Sequence, residues 1–535
     1  MDWSTPRQAP DEQIFGRWAS ELVAELPDRL STRVHDNAKR IPEQPALVDG
    51  SVRWNYRQLS AEITAATAWL TGQGIRPGDR IMVVSENSRA LVVLLLAATE
   101  LDASVAIVNP RLSVNEVDAI ALDCQPRRIY YTASVSTEAA EHGVRRKADT
   151  LVHESLGELM ISPVNTVETD PVYPEGHRQL AALIYTSGTT GRPKGVMLSH
   201  RGILYIASIS GGMRHLTEGQ RVYGVLPMSH VFGLSSVCMG SLYNGACLYV
   251  VPKFTPEAVF DALEHEAITV LQGVPAMYAK MLEHLRTRQQ PLKKDSLVYL
   301  SAGGSPLDTE TKQRVEAVFN LTLHNGYGLT EASPTISQTR IDQHPQDNTV
   351  GAVLPMLEYR LQLLDAGSAS NASARDDVPG ELWVRGPNVM LGYYRQPDAT
   401  AACLTADGWL NTGDIARVDD QGQLYIVSRS KELIIRSGFN IYPPDIEAVL
   451  NRHPAVIMSA VVGRQVTGNE EVVAYVQCDP GVMVTEQTLQ DFVLDQLAPY
   501  KRPARIHIME QLPATATGKI LKGRLRDLAN TEGDE

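Results

Sequence analysis

The residues 184–195, IYTSGTTGRPKG, crowd hydroxyls and glycines around one arginine and one lysine. Such a run is too polar for a core strand and has more backbone-permissive positions than an ordinary turn needs. It follows the strand-like AALIY at 181–185, so its backbone N–H groups can line a concavity for an anion. Thr186, Ser187, Thr189 and Thr190 add hydroxyl donors among Gly188 and Gly191, and Lys194 adds a movable charge. The phosphates of a nucleotide are the obvious occupant. The loop is not a Walker A motif, because Lys194 follows Pro193 and precedes Gly195, and the G-x-G-x-x-G pattern is absent. The plain alternative is a flexible surface turn.

Two further stretches carry suitable chemistry. In NGYGLTEAS at 325–333, Tyr327 offers a flat face for a base, and Thr330 with Glu331 offers a hydroxyl and a carboxylate, hard oxygen ligands that suit Mg²⁺. A lone Thr-Glu pair more commonly caps a helix. Asp414 in NTGDIA has two carboxylate oxygens able to accept from a ribose diol, or equally to close an Asx turn.

The elements around these motifs read as layered α/β structure. Short apolar runs at 80–85, 103–109, 181–187, 245–251 and 296–304 alternate with helical patterns such as EVDAIALD at 116–123, which points to largely parallel sheets. A small, polar, turn-forming stretch at 365–380 looks like a joint; it precedes the strand-like ELWVRG and is expected to be a surface loop that need not be a domain boundary. With 535 residues the chain should divide into at least two domains. About a hundred residues after the segment 424–450 could form a small α+β domain.

Composition narrows the partners. A net charge of −13 argues against nucleic acid or an anionic membrane surface, so an anionic ligand must be met by local cations. The five cysteines are scattered with no C-x-x-C pair, which suggests neither a disulfide framework nor a zinc site and fits a reducing compartment. The apolar run from Ala90 is too short to span a bilayer, and the first residues do not resemble a signal peptide. The expectation is a cytoplasmic protein without a membrane span. No G-x-S-x-G elbow or H-E-x-x-H helix is present.

YTSGTTGRPKG strongly resembles the phosphate loop of the adenylate-forming superfamily of acyl- and aryl-CoA synthetases, adenylation domains and luciferases. NGYGLTEAS, the segment 408–447 and LPATATGKILKGRLR at 512–526 follow in the family's order, so the resemblance covers nearly the whole chain. It implies a large N-terminal domain over 1–427, a hinge at 428–431 pivoting at Lys431, and a mobile C-terminal domain over 432–535.

By this resemblance Tyr327 packs on adenine, Asn325 lies near the base edge, and Gly303 and Gly304 form the other wall of the slot. Thr330 contacts the α-phosphate, Glu331 binds magnesium, and Asp414 and Arg429 hold the ribose. Lys519 is the catalytic lysine of the first step. His230 lines or gates an acyl pocket with Phe232, Gly303, Gly326 and Gly328, and Gly438 admits the pantetheine arm of CoA.

The implied activity is ATP-dependent ligation of a carboxylic acid to CoA through an acyl-adenylate. A stand-alone aryl-acid adenylating enzyme that loads a carrier protein remains the nearest alternative, and a non-catalytic nucleotide-binding scaffold a more distant one. An open slot between glycine walls suggests an aryl or medium-length acid. PATATGK also resembles sites where a protein acetyltransferase modifies the catalytic lysine.

Overall fold

A computed structural model describes residues 3–187, 193–287, 292–363, 378–436, 439–466, 469–479, 481–514 and 520–531. Two large mixed sheets form the scaffold of the larger lobe. The first has seven strands in the spatial order Pro193–Ser199, Leu180–Ser187, Ser104–Val108, Arg80–Val84, Arg128–Tyr131, Gly157–Ile161 and Asp149–His153. Its centre is parallel and both edges are antiparallel.

The strand Arg80–Val84 is fully buried, as a parallel strand covered on both faces must be. The apolar run from Ala90 falls in the helix Arg89–Glu100, a core helix that packs beneath this layer. Ser88 caps it by accepting from the N–H of Leu91. Among the described residues no helix is long and apolar enough to cross a membrane.

The second sheet has nine strands. In sequence from one edge they include Ala352–Val353, Thr335–Gln338, Leu323–Gly328, Tyr299–Ala302 and Val270–Gly273. Leu323–Gly328, Tyr299–Ala302 and Val270–Gly273 run parallel, whereas Thr335–Gln338 returns antiparallel to Leu323–Gly328. The carboxyl ends of these parallel strands therefore open on one side, where α/β sheets bind ligands.

A third, antiparallel sheet brings Glu358–Leu363, Gly380–Arg385, Leu410–Val418 and Leu424–Arg429 side by side. Most of the expected loop at 365–380 lies outside the described residues. Its flanks, Glu358–Leu363 and Gly380–Arg385, are neighbouring strands, so the segment joins two strands of one sheet and does not separate domains.

The large lobe's apolar core extends along the chain to Leu424, with Ile426 packed against it. The next buried residue to nucleate a core is Ile434, in a cluster made only of later residues such as Ile446, Val461, Val476 and Ile506. These later residues form a smaller α+β unit. Its three-stranded sheet consists of Val456–Val466, Asn469–Cys478 and Arg505–Met509, with the helices Pro443–Leu450, Glu486–Leu494 and Lys522–Thr531. The observed architecture agrees with the expected α/β chain having a large N-terminal and a small C-terminal part.

Candidate active site

A cavity of about 470 Å³ lies at the carboxyl ends of the parallel strands. Thr186, His230, Phe232, Gly303, Gly304, Asn325, Gly326, Tyr327, Gly328, Thr330, Glu331 and Arg429 all line it. These residues come from segments separated by more than two hundred positions, and the two large sheets, the third sheet that carries Arg429 and the segment around His230 and Phe232 bring them together.

At one end Tyr327 projects from the strand Leu323–Gly328 and its hydroxyl donates to Asp414 Oδ2 at 2.5 Å. Asp414 and Arg429 are cross-strand partners, with Arg429 Nε 3.3 Å from Asp414 Oδ1. Asp414 is only 4% exposed, so its charge must be answered by protein groups such as these two rather than by water. Burial, then the adjacent Asp414 carboxylate, raises the Tyr327 phenol well above its ordinary pKa and keeps the hydroxyl a donor. Asn325 is fixed by donating from Nδ2 to the Thr349 carbonyl at 3.1 Å.

Thr330 and Glu331 occupy a short turn, Thr330–Ala332, rather than the cap of an α-helix. Asn388 holds this turn by donating to the carbonyls of Ala332 and Thr335 at 3.0 and 2.9 Å, and Met390 N–H donates to Glu331 O at 2.8 Å. The Tyr393 hydroxyl donates to Glu331 Oε1 at 2.7 Å, and Lys194 Nζ lies 4.8 Å from the centroid of the same ring. Burial and then Glu331 raise the Tyr393 pKa.

Tyr393 thus couples the loop lysine to the carboxylate. Neither it nor Asn388 stands out in the sequence GPNVMLGYY. The available signal was a polar asparagine in an otherwise apolar, turn-rich run.

The described ends of the glycine-rich motif belong to two antiparallel strands, Leu180–Ser187 and Pro193–Ser199, in which Thr186 faces Lys194. Gly188, Thr189, Thr190 and Gly191 lie outside the described residues, as does the Ser187 side chain. Gly438 and Lys519 lie outside them too.

At the expected acyl end His230 Nδ1 accepts from the Phe232 N–H at 3.3 Å. A Cβ on Gly303 would sit 3.1 Å from the Phe232 ring, so this glycine lets the ring lie close. The reason for glycine is different at the other two expected walls. A Cβ on Gly328 would meet the Pro334 carbonyl oxygen at 2.1 Å, and one on Gly326 would meet Ser337 O at 3.3 Å. A Cβ at either position would crowd the neighbouring antiparallel strand, and both glycines also line the cavity.

The inner lining also carries many polar side chains. Ser210, Arg214, Ser236, Gln272, Ser301 and Gln338 all face the cavity. These residues were missed because they are spread over 129 positions and each reads as an isolated core polar residue.

Near the expected hinge the bonding changes sides. Ser430 Oγ donates to Glu381 Oε1 at 2.7 Å, in the large lobe. The next residue, Lys431, accepts at its carbonyl from Arg526 Nη2 at 3.0 Å, in the C-terminal helix. Lys522 Nζ lies 3.2 Å from Glu432 Oε2 and 2.7 Å from Glu447 Oε1, so Glu432 is tied to the smaller lobe as well.

Comparison with known proteins gives a consistent result. The model of the AMP-binding enzyme family matches residues 34–394, and that of the AMP-binding enzyme C-terminal domain matches residues 445–519. A feruloyl-CoA synthase of Amycolatopsis sp is 33% identical over 495 residues, covering 91% of this chain and 96% of its own. A long-chain-fatty-acid–CoA ligase of Bacillus subtilis is 29% identical over 555 residues, covering 95% and 97%. The solved structure of the O-succinylbenzoate coenzyme A synthetase of Bacillus subtilis, in complex with ATP and magnesium ion, is similar with a TM-score of 0.78 at 26% identity, covering 92% of this chain and 99% of that one.

Proposed function

The chain belongs to the AMP-binding enzyme family, and from that premise we propose that it is an ATP-dependent carboxylate–CoA ligase acting in the cytoplasm. In the first half-reaction the acid's carboxylate attacks the α-phosphorus of ATP, giving an acyl-adenylate and pyrophosphate. In the second the CoA thiol attacks the acyl carbonyl, giving the thioester and AMP. The observation that carries this reading is the convergence of Thr186, Tyr327, Thr330, Glu331 and Arg429 on one cavity beside the buried Asp414.

Tyr327 and Asn325 take the base, Asp414 and Arg429 the ribose, and Thr330 the α-phosphate. Lys194 and Thr186 serve the phosphates together with Ser187, Gly188, Thr189, Thr190 and Gly191. Anion meets anion in the first step. Two unit charges about 4 Å apart repel by roughly 4 kcal/mol at an effective dielectric near 20. Lys519 supplies the cation between them, stabilising charge that develops on the phosphoryl oxygens. No protein nucleophile is required.

Mg²⁺ fits the donor set. The Glu331 carboxylate is a hard oxygen ligand on the cavity wall, held at one oxygen by Tyr393 and with its other oxygen left to ligate. Among the described residues no group of three or more His, Cys, Asp or Glu could hold a metal, so Glu331 would share the ion with the nucleotide phosphates. When bound, the ion neutralises the pyrophosphate leaving group.

In sequence Lys519 follows residues 428–431 while the other proposed nucleotide-binding residues lie at or before Arg429, so the first step needs the small domain closed and the second needs it moved. Ser430 bonded to one lobe and Lys431 to the other supports a pivot between them. Gly438 then gives the thiol arm close access to the backbone.

Incubation with a panel of acids, MgATP and CoA, following AMP and thioester, tests the proposal. Thioester formation with free CoA supports it, while turnover only on a phosphopantetheinylated carrier protein would favour the carrier-loading reading. Absence of any acid-dependent exchange of pyrophosphate into ATP would leave a nucleotide-binding scaffold.

A further inference from the structure

Arg214 is a buried charge that, among the described residues, donates to neutral groups. It is 4% exposed and lines the inner part of the cavity. Its Nε donates to the Ser210 carbonyl at 3.0 Å, its Nη2 to the Ser236 carbonyl at 3.1 Å, and its Nη1 to Gln272 Oε1. Among the described residues no carboxylate forms an ion pair with it. Burial pushes its pKa down, opposed by the Tyr299 phenol rather than by a carboxylate.

Three of its five N–H groups are used, leaving one on each terminal nitrogen to donate to an anionic oxygen. Two more polar atoms at this end, Gln272 Nε2 and Ser236 Oγ, are buried with no hydrogen-bond partner among the described residues. Unpaired buried polar atoms next to an unpaired buried cation are costly, and a ligand that answers them recovers that cost.

We infer that the acid activated here carries a second anionic group, a carboxylate, on the end of its acyl part remote from the reacting carboxyl, held by Arg214 with Gln272 and Ser236. The inference rests on the ligase reading above. An acid with a purely apolar tail of equal length leaves the guanidinium desolvated and unpaired, and is rejected for that reason. Arg214 acts here as a specificity residue. It stands apart from the expected phosphate, ribose and adenine contacts.

The test uses the full chain and matched acids: α,ω-dicarboxylic acids against monocarboxylic acids of equal length, and a phenylpropenoic acid against its para-carboxylated counterpart. The initial rate of pyrophosphate release is the readout. The dicarboxylic member of the best pair is expected to have a kcat/KM higher by about 100-fold or more, and Arg214→Gln to invert that preference. Gln272→Leu, which keeps the charge, should lower kcat/KM for the diacid about tenfold.

Should Arg214→Gln fail to fold, the wild-type ratio and Gln272→Leu still decide. Preference of the wild type for the monoacid in every pair, or equal loss of both members in the variants, overturns the inference and leaves Arg214 a structural strut. Turnover of monoacids alone leaves the ligase reading intact, whereas no pyrophosphate release with any acid removes both.

Discussion

The Tyr327 hydroxyl donates a 2.5 Å hydrogen bond to the Asp414 carboxylate, across 87 positions of sequence and between two different sheets. The contact ties the proposed base platform to the proposed ribose acceptor, so that one cannot move without the other. Removing the hydroxyl and removing the charge should therefore have separable effects. Tyr327→Phe keeps the ring and is expected to leave ATP affinity within about threefold, while costing roughly 1.5–3 kcal/mol of stability as a hydrogen bond to a charged group is lost. Asp414→Asn should weaken ATP binding by about 10–100-fold. Calorimetric titration with ATP and urea unfolding measure the two quantities, and equal losses of affinity in both variants would contradict this assignment.

Lys519→Ala should lower the adenylation rate by about 100-fold or more, in keeping with loss of a charge that acts in the transition state. Thioester formation from supplied acyl-adenylate should stay within a few-fold of wild type. Acetylation of Lys519 by a protein acetyltransferase would reproduce the first effect, because it removes the same charge. Single-turnover assays of each half-reaction provide the check, and parallel loss of both would refute the division of labour.

The opposite pattern is expected at Gly438. Gly438→Trp adds bulk where the thiol arm should approach the backbone, so acyl-adenylate should accumulate while thioester formation falls about tenfold or more. Quenched-flow separation of acyl-adenylate from acyl-CoA reads both, and normal thioester formation would count against the assigned arm.

Acid should destabilise the fold before the carboxylates titrate. The Leu30 N–H donates to His200 Nδ1 at 3.1 Å, and burial pushes the His200 pKa down to about 3. His324, stacked on Tyr299, is pushed down to about 4, again chiefly by burial. Unfolded, both titrate near 6.5, so below that pH the unfolded chain binds protons that the fold excludes. Stability is full above about pH 6.5 and falls as pH drops toward the folded-state values, by up to about 1.4 kcal/mol per pH unit for each histidine. Urea melts between pH 7.5 and 5 should show this decline, and His200→Asn should make it shallower. An unchanged slope in the variant would rule out His200 as a source.

The sequence by itself determined the alternation of strands and helices, the family, and the motifs from Thr186 to Arg429 that now line one cavity, because each motif is local and its residue types are dictated by the group it would hold. The helix expected at 116–123 lies within Val114–Cys124 and the strand expected at 80–85 is Arg80–Val84, since periodicity and capping act over a few residues. The permissiveness of Gly326 and Gly328 is visible in sequence, and both line the cavity, but the protein neighbour for which each makes room is not visible there. That neighbour proved to be the strand Thr335–Gln338.

Tyr393 beside Glu331, the pairing of Tyr327 with Asp414, and the polar floor around Arg214 were decided only by tertiary structure. Each depends on which distant segments meet. Whether a buried arginine has a counter-charge is a property of everything folded around it, and no short stretch of sequence records that.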